Sequence, residues 1–296
     1  MTKRVISVFL CVLCVISSIS FIVSAKENKE YMSDNFLSVA DGIIAWKKAD
    51  NGSEPDGYLI NDKYLENAGT TPGDWYPIAL GRLGIQDNNE GYLAVIKDRV
   101  EERYRESGRL SAAKATEWHR IALAVLAMGG DPTNFGTDEN GALINLIADG
   151  TSVRCKTTPL GRQGIYGWIW GLITLDSMRY AVPDGAYNTR DDIIVEIISK
   201  QLSDGGFALS SDDADPDITA MAITALAPYY NSEKIYSYHR KALSADESKT
   251  VHEVVDEAVW CLSRLQLNTG DYKSWGTQNV ESTDWVAVAL CSLNIS

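Results

Sequence analysis

The sequence lacks any stretch rich in lysine or arginine, and its basic residues are outnumbered throughout. There are 27 Lys and Arg residues against 40 Asp and Glu residues, which gives a net charge of -13 at pH 7. Proteins that bind nucleic acid neutralise phosphates with clustered basic side chains. We therefore exclude nucleic acid as a partner. The chain is 45% hydrophobic and 23% charged, which is ordinary for a folded globular protein and excludes a disordered or fibrous one.

Cysteine is also scarce. Two of the five cysteines, Cys11 and Cys14, fall in an N-terminal apolar run, which leaves Cys155, Cys261 and Cys291. Three cysteines cannot form a disulfide framework. Neither a Cys-x-x-Cys nor a His-x-x-x-His spacing occurs, so no zinc ligand set is visible. The sequence predicts no metal site and no cofactor.

The only long hydrophobic run is the N-terminal one, over residues 5–23, and a basic pair precedes it. Val23 and Ala25 are the small residues that signal peptidase requires. We predict that residues 1–25 are a secretory signal and that residues 26–296 form the exported domain, secreted or at the cell surface, without membrane contact after cleavage. The run is about 19 residues long, so an uncleaved membrane anchor is the alternative.

An apolar pattern recurs five times along the rest of the chain. The five segments start at positions 74, 117, 166, 217 and 284, and each has a large apolar residue at +4, Ala or Gly at +5, and Leu or Ile at +6. Segments that are apolar on nearly every side predict buried helices. Amphipathic segments lie between them, at 92–106, 190–202 and 251–265, which predicts an alternation of inner and outer helices. We expect strands to be scarce, because no stretch shows sustained period-2 alternation.

Two of the outer segments end in the same way. Gln201 is followed by Gly205 and Phe207, and Gln266 is followed by Gly270 and Tyr272. Glycine after the last helical residue favours a left-handed C-cap, and the aromatic residue beyond it can fold back onto the helix end. The recurrence supports a structural repeat.

These Gln-to-Gly-to-aromatic endings and the segment Asp215-Pro-Asp217-Ile218-Thr-Ala resemble the α/α toroid family. That family includes the squalene and hopene cyclases, the β subunits of protein prenyltransferases and the cobalamin carriers. The resemblance covers about residues 36–296. It implies an all-α fold, an α/α toroid, which is a barrel of about five inner and outer helix pairs.

The resemblance also implies a catalytic pair. The cyclases of the family carry Asp-x-Asp-Asp-Thr-Ala, in which the middle Asp donates the initiating proton, and this role corresponds to Asp217, with Asp215 before it. Ile218 replaces the last Asp of that motif. The Cys and His ligands of the prenyltransferase zinc site have no counterpart here. Asp215 and Asp217 are therefore candidate catalytic residues only if the protein is an enzyme.

Parallel inner helices would bring their first turns together at one rim. The acidic residues of these turns are Asp74, Glu117, Asp217 and Asp284, and the aromatic residues beside them are Trp75, Trp118, Tyr166, Trp168, Trp170 and Trp285. The acids can simply stabilise helix N-termini, and the rings can simply be core. We expect instead a ligand-binding cavity of Asp74, Trp75, Glu117, Trp118, Tyr166, Trp168, Trp170, Asp284 and Trp285, which would suit a small apolar, flat or cationic ligand.

The sequence thus favours an exported binding or surface-associated module over an enzyme. The alternatives are a terpene-cyclase-like enzyme and a secreted carbohydrate-active α/α-barrel enzyme, in which a pair of carboxylates works among tryptophans. Because the chain ends at Ser296, in or just after an inner segment, we also expect a C-terminal partner domain to be missing.

Overall fold

The computed structural model of the chain describes residues 34–153 and 159–294; the predicted signal at 1–25 and Cys155 lie outside the described residues. Just over half of the described residues are helical, as an all-α fold predicts. The helices are α1 (Asp34–Asn51), α2 (Asp62–Leu65), α3 (Thr71–Leu83), α4 (Asn89–Ser107), α5 (Thr116–Ala127), α6 (Leu146–Gly150), α7 (Ile165–Asp176), α8 (Arg190–Ile198), α9 (Pro216–Leu226), α10 (Val251–Leu265) and α11 (Val280–Ser292). The strands are β1 (Ile235–Arg240), β2 (Ala245–Thr250), β3 (Tyr272–Ser274) and β4 (Thr277–Asn279).

Each of the five repeated apolar segments lies in a helix, namely α3, α5, α7, α9 and α11. These helices pack in chain order, each against the next. The approach of α3 to α5 is close, because a Cβ added to Gly81 would lie 2.0 Å from the carbonyl oxygen of Ala127. Only glycine allows that contact between the two backbones. Two of the amphipathic helices pack against this series, α8 on α7 and α10 on α9.

Contacts between their first turns show that neighbouring inner helices begin at the same end. Arg120 of α5 donates to Asp74 of α3 at 2.8 Å. The backbone N–H of Thr116, which opens α5, donates at 3.3 Å to the side chain of Gln163, just before α7. Asp215, the N-cap residue of α9, accepts a hydrogen bond from the strand that precedes α11. The beginnings of α3, α5 and α7 therefore lie together, and so do those of α9 and α11.

The two Gln-to-Gly turns share one hydrogen-bonding scheme. The side-chain amide of Gln201 donates to the carbonyl of Gly205 at 2.8 Å, and that of Gln266 donates to Gly270 at 2.9 Å. Both glycines have positive φ, 90° and 89°, a conformation that glycine adopts without strain. Phe207, which follows the first turn, is buried. The repeat that was predicted from sequence thus extends to the geometry of its turns.

Two antiparallel hairpins interrupt the helices in the described part of the chain. Strand β1 pairs with β2 from Ile235 opposite Thr250 to Arg240 opposite Ala245, and its residues alternate between exposed and buried. Strands are scarce among the described residues, as expected. The alternation of β1 was not recognised in the sequence, because tyrosines and one arginine, not aliphatic residues, occupy its buried face. Strands β3 and β4 form a shorter hairpin that packs against α9 and α11.

Candidate ligand-binding cleft

A cleft opens where the first turns of α3, α5 and α7 meet, and its volume is about 200 Å³. Four of its lining residues are among the predicted site residues: Trp75, Glu117, Tyr166 and Trp170. The others are Thr71, Lys114, Thr116, Arg120 and Gln163. The cleft therefore combines an aromatic wall with polar and charged side chains from three consecutive inner helices.

The aromatic wall is centred on Trp170. The ring of Trp75 lies 5.7 Å from that of Trp170, and the rings of Tyr166 and Trp285 each lie 6.1 Å from it, all measured between centroids. The ring planes are inclined by 61° to 83°, which is the edge-to-face geometry that aromatic pairs prefer. These contacts connect α3, α7 and α11, although those helices are not neighbours in the series. The four rings therefore meet, but Trp285 packs against Trp170 and is not among the residues that line the cleft.

A buried ion pair forms the base of the cleft. Asp74 is fully buried and accepts from Arg120 Nε at 2.8 Å, from the Tyr92 hydroxyl at 2.7 Å and from the Gly69 N–H at 2.6 Å. Burial raises the pKa of Asp74, and the bond from Arg120 opposes that shift without cancelling it. Asp74 therefore anchors Arg120 under the cleft and does not itself line it.

Glu117 is held between two arginines. Its carboxylate accepts from both terminal nitrogens of Arg120, at 2.8 and 3.1 Å, and from Arg103 at 3.2 Å. Burial works against the charged form, but the hydrogen bonds and charges of the two arginines outweigh it and lower the pKa of Glu117. A carboxylate in this state stays ionised at neutral pH and is a poor proton donor.

Two predicted tryptophans lie away from the cleft. Trp118 is only 2% exposed and donates from its indole nitrogen to the hydroxyl of Tyr104 at 2.7 Å, so it belongs to the core between α5 and α4. Trp168 packs over the turn before α7, where a Cβ added to Gly161 would lie 2.3 Å from the indole nitrogen. Neither ring is among the residues that line the cleft.

The remaining predicted acids lie at the beginnings of α9 and α11, outside the lining of the cleft. Asp215 caps α9 through the Ile218 N–H at 3.0 Å and accepts from the Ser274 hydroxyl at 2.6 Å. Burial, together with the charges of Asp215 and Glu281, raises the pKa of Asp217. Its Oδ1 atom has no hydrogen-bond partner among the described residues.

Asp284, on α11, is in a similar state. Burial and the nearby charge of Glu281 raise the pKa of Asp284 to about 6. Its buried Oδ2 atom likewise finds no hydrogen-bond partner within the part of the chain that the structure describes. The predicted acid rim therefore divides into arginine-paired acids at α3 and α5 and unneutralised acids at α9 and α11.

Apart from Glu117, the predicted site residues do not include the polar side chains that line the cleft. The pairing of Arg120 with Glu117 could have been predicted, because the two residues are three positions apart and such pairs meet on a helix surface. Lys114 and Gln163 come from the segments before α5 and α7, where no periodicity marks them. Their place in the cleft is a consequence of tertiary packing.

A second depression, of about 290 Å³, lies beyond this ion-pair network, between α4 and the loop before α3. The guanidinium groups at its edge are already engaged. Arg99 donates to the carbonyls of Leu65, Glu66 and Ala68, and Arg103 donates to Glu117 and to the carbonyl of Leu110. We therefore place the candidate site in the aromatic cleft.

Residues 34–153 and 159–294 contain no group of three His, Cys, Asp or Glu side chains placed to hold a metal ion. No helix in those ranges is both long enough and apolar enough to cross a membrane.

Comparison of the chain with protein-family models, with curated proteins and with solved structures found no match. The sequence and the geometry of the cleft are therefore the basis for a function.

Proposed function

We propose that the protein is an exported α/α toroid module that binds a small flat ligand in the aromatic cleft. The observation that carries this proposal is the convergence of Trp75, Tyr166 and Trp170 with polar side chains at the first turns of three inner helices. Binding sites are typically concave and largely aromatic, with a few polar groups that fix orientation. The sequential packing of the inner helices and the matching Gln-to-Gly turns support the toroid.

The size of the cleft limits its ligand. Pockets for drug-sized molecules have volumes of roughly 300–1,000 Å³, whereas this cleft has about 200 Å³. It has room for one ring with short substituents, or for one ring of a longer molecule. Stacking and edge contacts on the aromatic wall would supply about 0.5–1.5 kcal/mol for each ring pair.

The charges in the cleft favour binding over catalysis. Glu117 is its only acidic lining residue, and two arginines hold it ionised. A glycosidase needs a second carboxyl group about 5–9.5 Å away, one of the two being protonated. The acids with raised pKa, Asp217 and Asp284, are not in the lining. The acids that could donate a proton are therefore separate from the aromatic wall.

The binding proposal is tested with ligand-observed NMR on the mature protein, using a panel of single-ring compounds such as phenol, benzamide and benzoate. We expect saturation transfer to at least one of them, and its loss in Trp75→Leu. The control is Trp260→Leu, because Trp260 is exposed on α10 and does not line the cleft. Binding that survives Trp75→Leu would contradict the proposal.

A terpene-cyclase-like enzyme is the second candidate, and one observation favours it: Asp217 combines a raised pKa with a carboxylate oxygen that has no hydrogen-bond partner among the described residues. Incubation with squalene or a linear prenyl diphosphate, followed by gas chromatography, tests this alternative. Cyclic products that disappear in Asp217→Asn would favour the enzyme. We expect none.

A further inference from the structure

The three helices that open onto the cleft begin differently from the others. The N-cap residues of α3, α5 and α7 are Thr70, Ala115 and Gly164, and none of them makes a side-chain cap hydrogen bond. Every other described helix from α2 onward has a side-chain cap. The first turns of these three helices, each 12 or 13 residues long, meet at one cleft, and the first N–H of α5 is bonded to the side chain of Gln163. Backbone N–H groups and the positive ends of helix dipoles favour negative charge there.

The side chains around the cleft have a positive surplus. Arg120 and Arg103 carry two positive charges, which Asp74 and Glu117 balance through the ion pairs described above. Lys114 also lines the cleft, and its ammonium group forms no ion pair or hydrogen bond within the described residues. The cleft thus has one unbalanced positive charge, although the whole chain has a net charge of -13.

A buried hydrogen-bond donor in the cleft wall has no acceptor. Trp170 lines the cleft and is only 6% exposed, and its indole N–H has no hydrogen-bond partner among the described residues. Buried polar groups in folded proteins nearly always have a partner, so each exception needs a physical explanation. The indole nitrogen is covered in this structure, so the acceptor of a ligand in the cleft would reach it only after a movement of the ring.

We infer that the ligand of the cleft is a flat ring that carries a carboxylate, and not a cation. The ring contacts Trp75, Tyr166 and Trp170, while the carboxylate faces Lys114 and the N-termini of α3 and α7. This inference rests on the proposed function and specifies its ligand class. It also reverses the cationic alternative that tryptophans beside acidic residues suggested in the sequence, because arginines neutralise both of those acids.

The test compares three probes of nearly the same shape: benzoate, benzamide and benzamidinium, which are negative, neutral and positive. Dissociation constants are measured by NMR titration of the ¹⁵N-labelled mature protein. We expect benzoate to bind most tightly and benzamidinium most weakly. The indole N–H signal of Trp170, which is identified by its absence in Trp170→Phe, should shift on addition of benzoate.

Lys114 provides the decisive variant, because its side chain is exposed and its replacement leaves the core intact. We expect Lys114→Gln to weaken benzoate binding by up to about fivefold, the size of a solvent-exposed ion pair, and to leave benzamide binding unchanged. Lys114→Arg should retain the preference for benzoate. Lys241→Gln makes the same charge change at an exposed lysine outside the cleft and should change nothing.

The outcomes separate this inference from the proposal on which it rests. If benzamide or benzamidinium binds as tightly as benzoate, or if Lys114→Gln weakens all three probes equally, the carboxylate preference is wrong while the cleft remains a binding site. If none of the probes binds, or if binding is unaffected by Trp75→Leu, the cleft itself is refuted as the site.

Discussion

Replacing Arg120 by methionine should strongly destabilise the protein, and the size of the loss can be worked out from its contacts. Methionine replaces the inner, aliphatic part of the side chain but removes the donor to the fully buried Asp74, which then keeps only Tyr92 and the Gly69 N–H. Removing one partner of a buried ion pair typically costs about 3–5 kcal/mol, because the other charge remains buried. Glu117 keeps Arg103 and is partly accessible, so its share of the loss is small.

The same reasoning fixes the pH dependence of that loss. Without Arg120, the pKa of Asp74 in the folded state should rise further above its value in the unfolded chain. A raised carboxyl pKa disfavours folding fully above the folded-state pKa, and the penalty decreases as the pH falls through that value. The destabilisation by Arg120→Met should therefore be largest near pH 7.5 and smaller near pH 5.

Urea unfolding followed by tryptophan fluorescence measures this free energy at both pH values. Asp74→Asn in the Arg120→Met background removes the stranded charge and should recover part of the loss, as expected for residues in contact. Arg105→Met is the matched control, because Arg105 is exposed on α4 and forms no ion pair with a described residue; it should cost less than about 0.5 kcal/mol. A loss below about 1 kcal/mol for Arg120→Met, or one that does not change with pH, would refute the reasoning.

Three further predictions concern single residues. Trp118→Ala should cost about 3–5 kcal/mol, as for other deleted core aromatics, and a probe bound in the cleft should still bind to the folded variant; a specific loss of binding would assign Trp118 to the site. Asp284→Asn should stabilise the protein near pH 7 by about 1–2 kcal/mol, after allowance for solvent screening, because it removes a charge whose burial is unfavourable. In urea titrations the gain should disappear near pH 4, where Asp284 is protonated. A gain that does not change with pH would contradict the raised pKa. Trp275 is 87% exposed, has a φ of 54° and precedes Gly276 in the β3–β4 turn. Because asparagine tolerates positive φ, Trp275→Asn should raise the unfolding free energy by about 1 kcal/mol. An unchanged urea midpoint would show that the turn is not strained.

The helical fold and part of the site could be predicted from the sequence because both depend on the regular spacing of apolar residues along the chain. Trp75, Trp170 and Trp285 are the fifth or sixth residues of α3, α7 and α11, so they lie at similar heights along these helices, and their rings meet. Period does not give the rotation of each helix about its own axis. Trp118 has the same repeat position as Trp75 and Trp285, but α5 turns it towards Tyr104 and the core. One residue corresponds to about 100° of rotation, so a small difference in packing decides between cleft and core.

The hairpins and the polar half of the cleft could not be predicted for a different reason. Strand β1 buries Tyr236, Tyr238 and Arg240, and the guanidinium of Arg240 donates to the carbonyls of Gln201 and Leu202. A search for alternating aliphatic residues does not detect such a strand. Lys114 lies in a connecting segment, and only the fold places it beside α3 and α7.

The four acids that open inner helices show why a motif in the sequence does not fix the state of its side chain. Asp74 and Glu117 share Arg120, and the lowered pKa of Glu117 means that its contribution to stability is present at neutral pH and is lost as the pH falls through that value. Asp217 and Asp284 have no cationic partner among the described residues, and their pKa values are raised. Their buried charges therefore reduce stability at neutral pH, and this cost decreases as the pH falls and the carboxylates become protonated. Against the effect of burial, two arginines lower the pKa of Glu117, namely Arg120 on its own helix and Arg103 on α4; Asp74 is paired with Arg120 but keeps a raised pKa because it is fully buried. Mild acidification towards pH 5 should therefore relieve the α9–α11 side while the Glu117–Arg120 pair stays intact, and only stronger acid should break that pair.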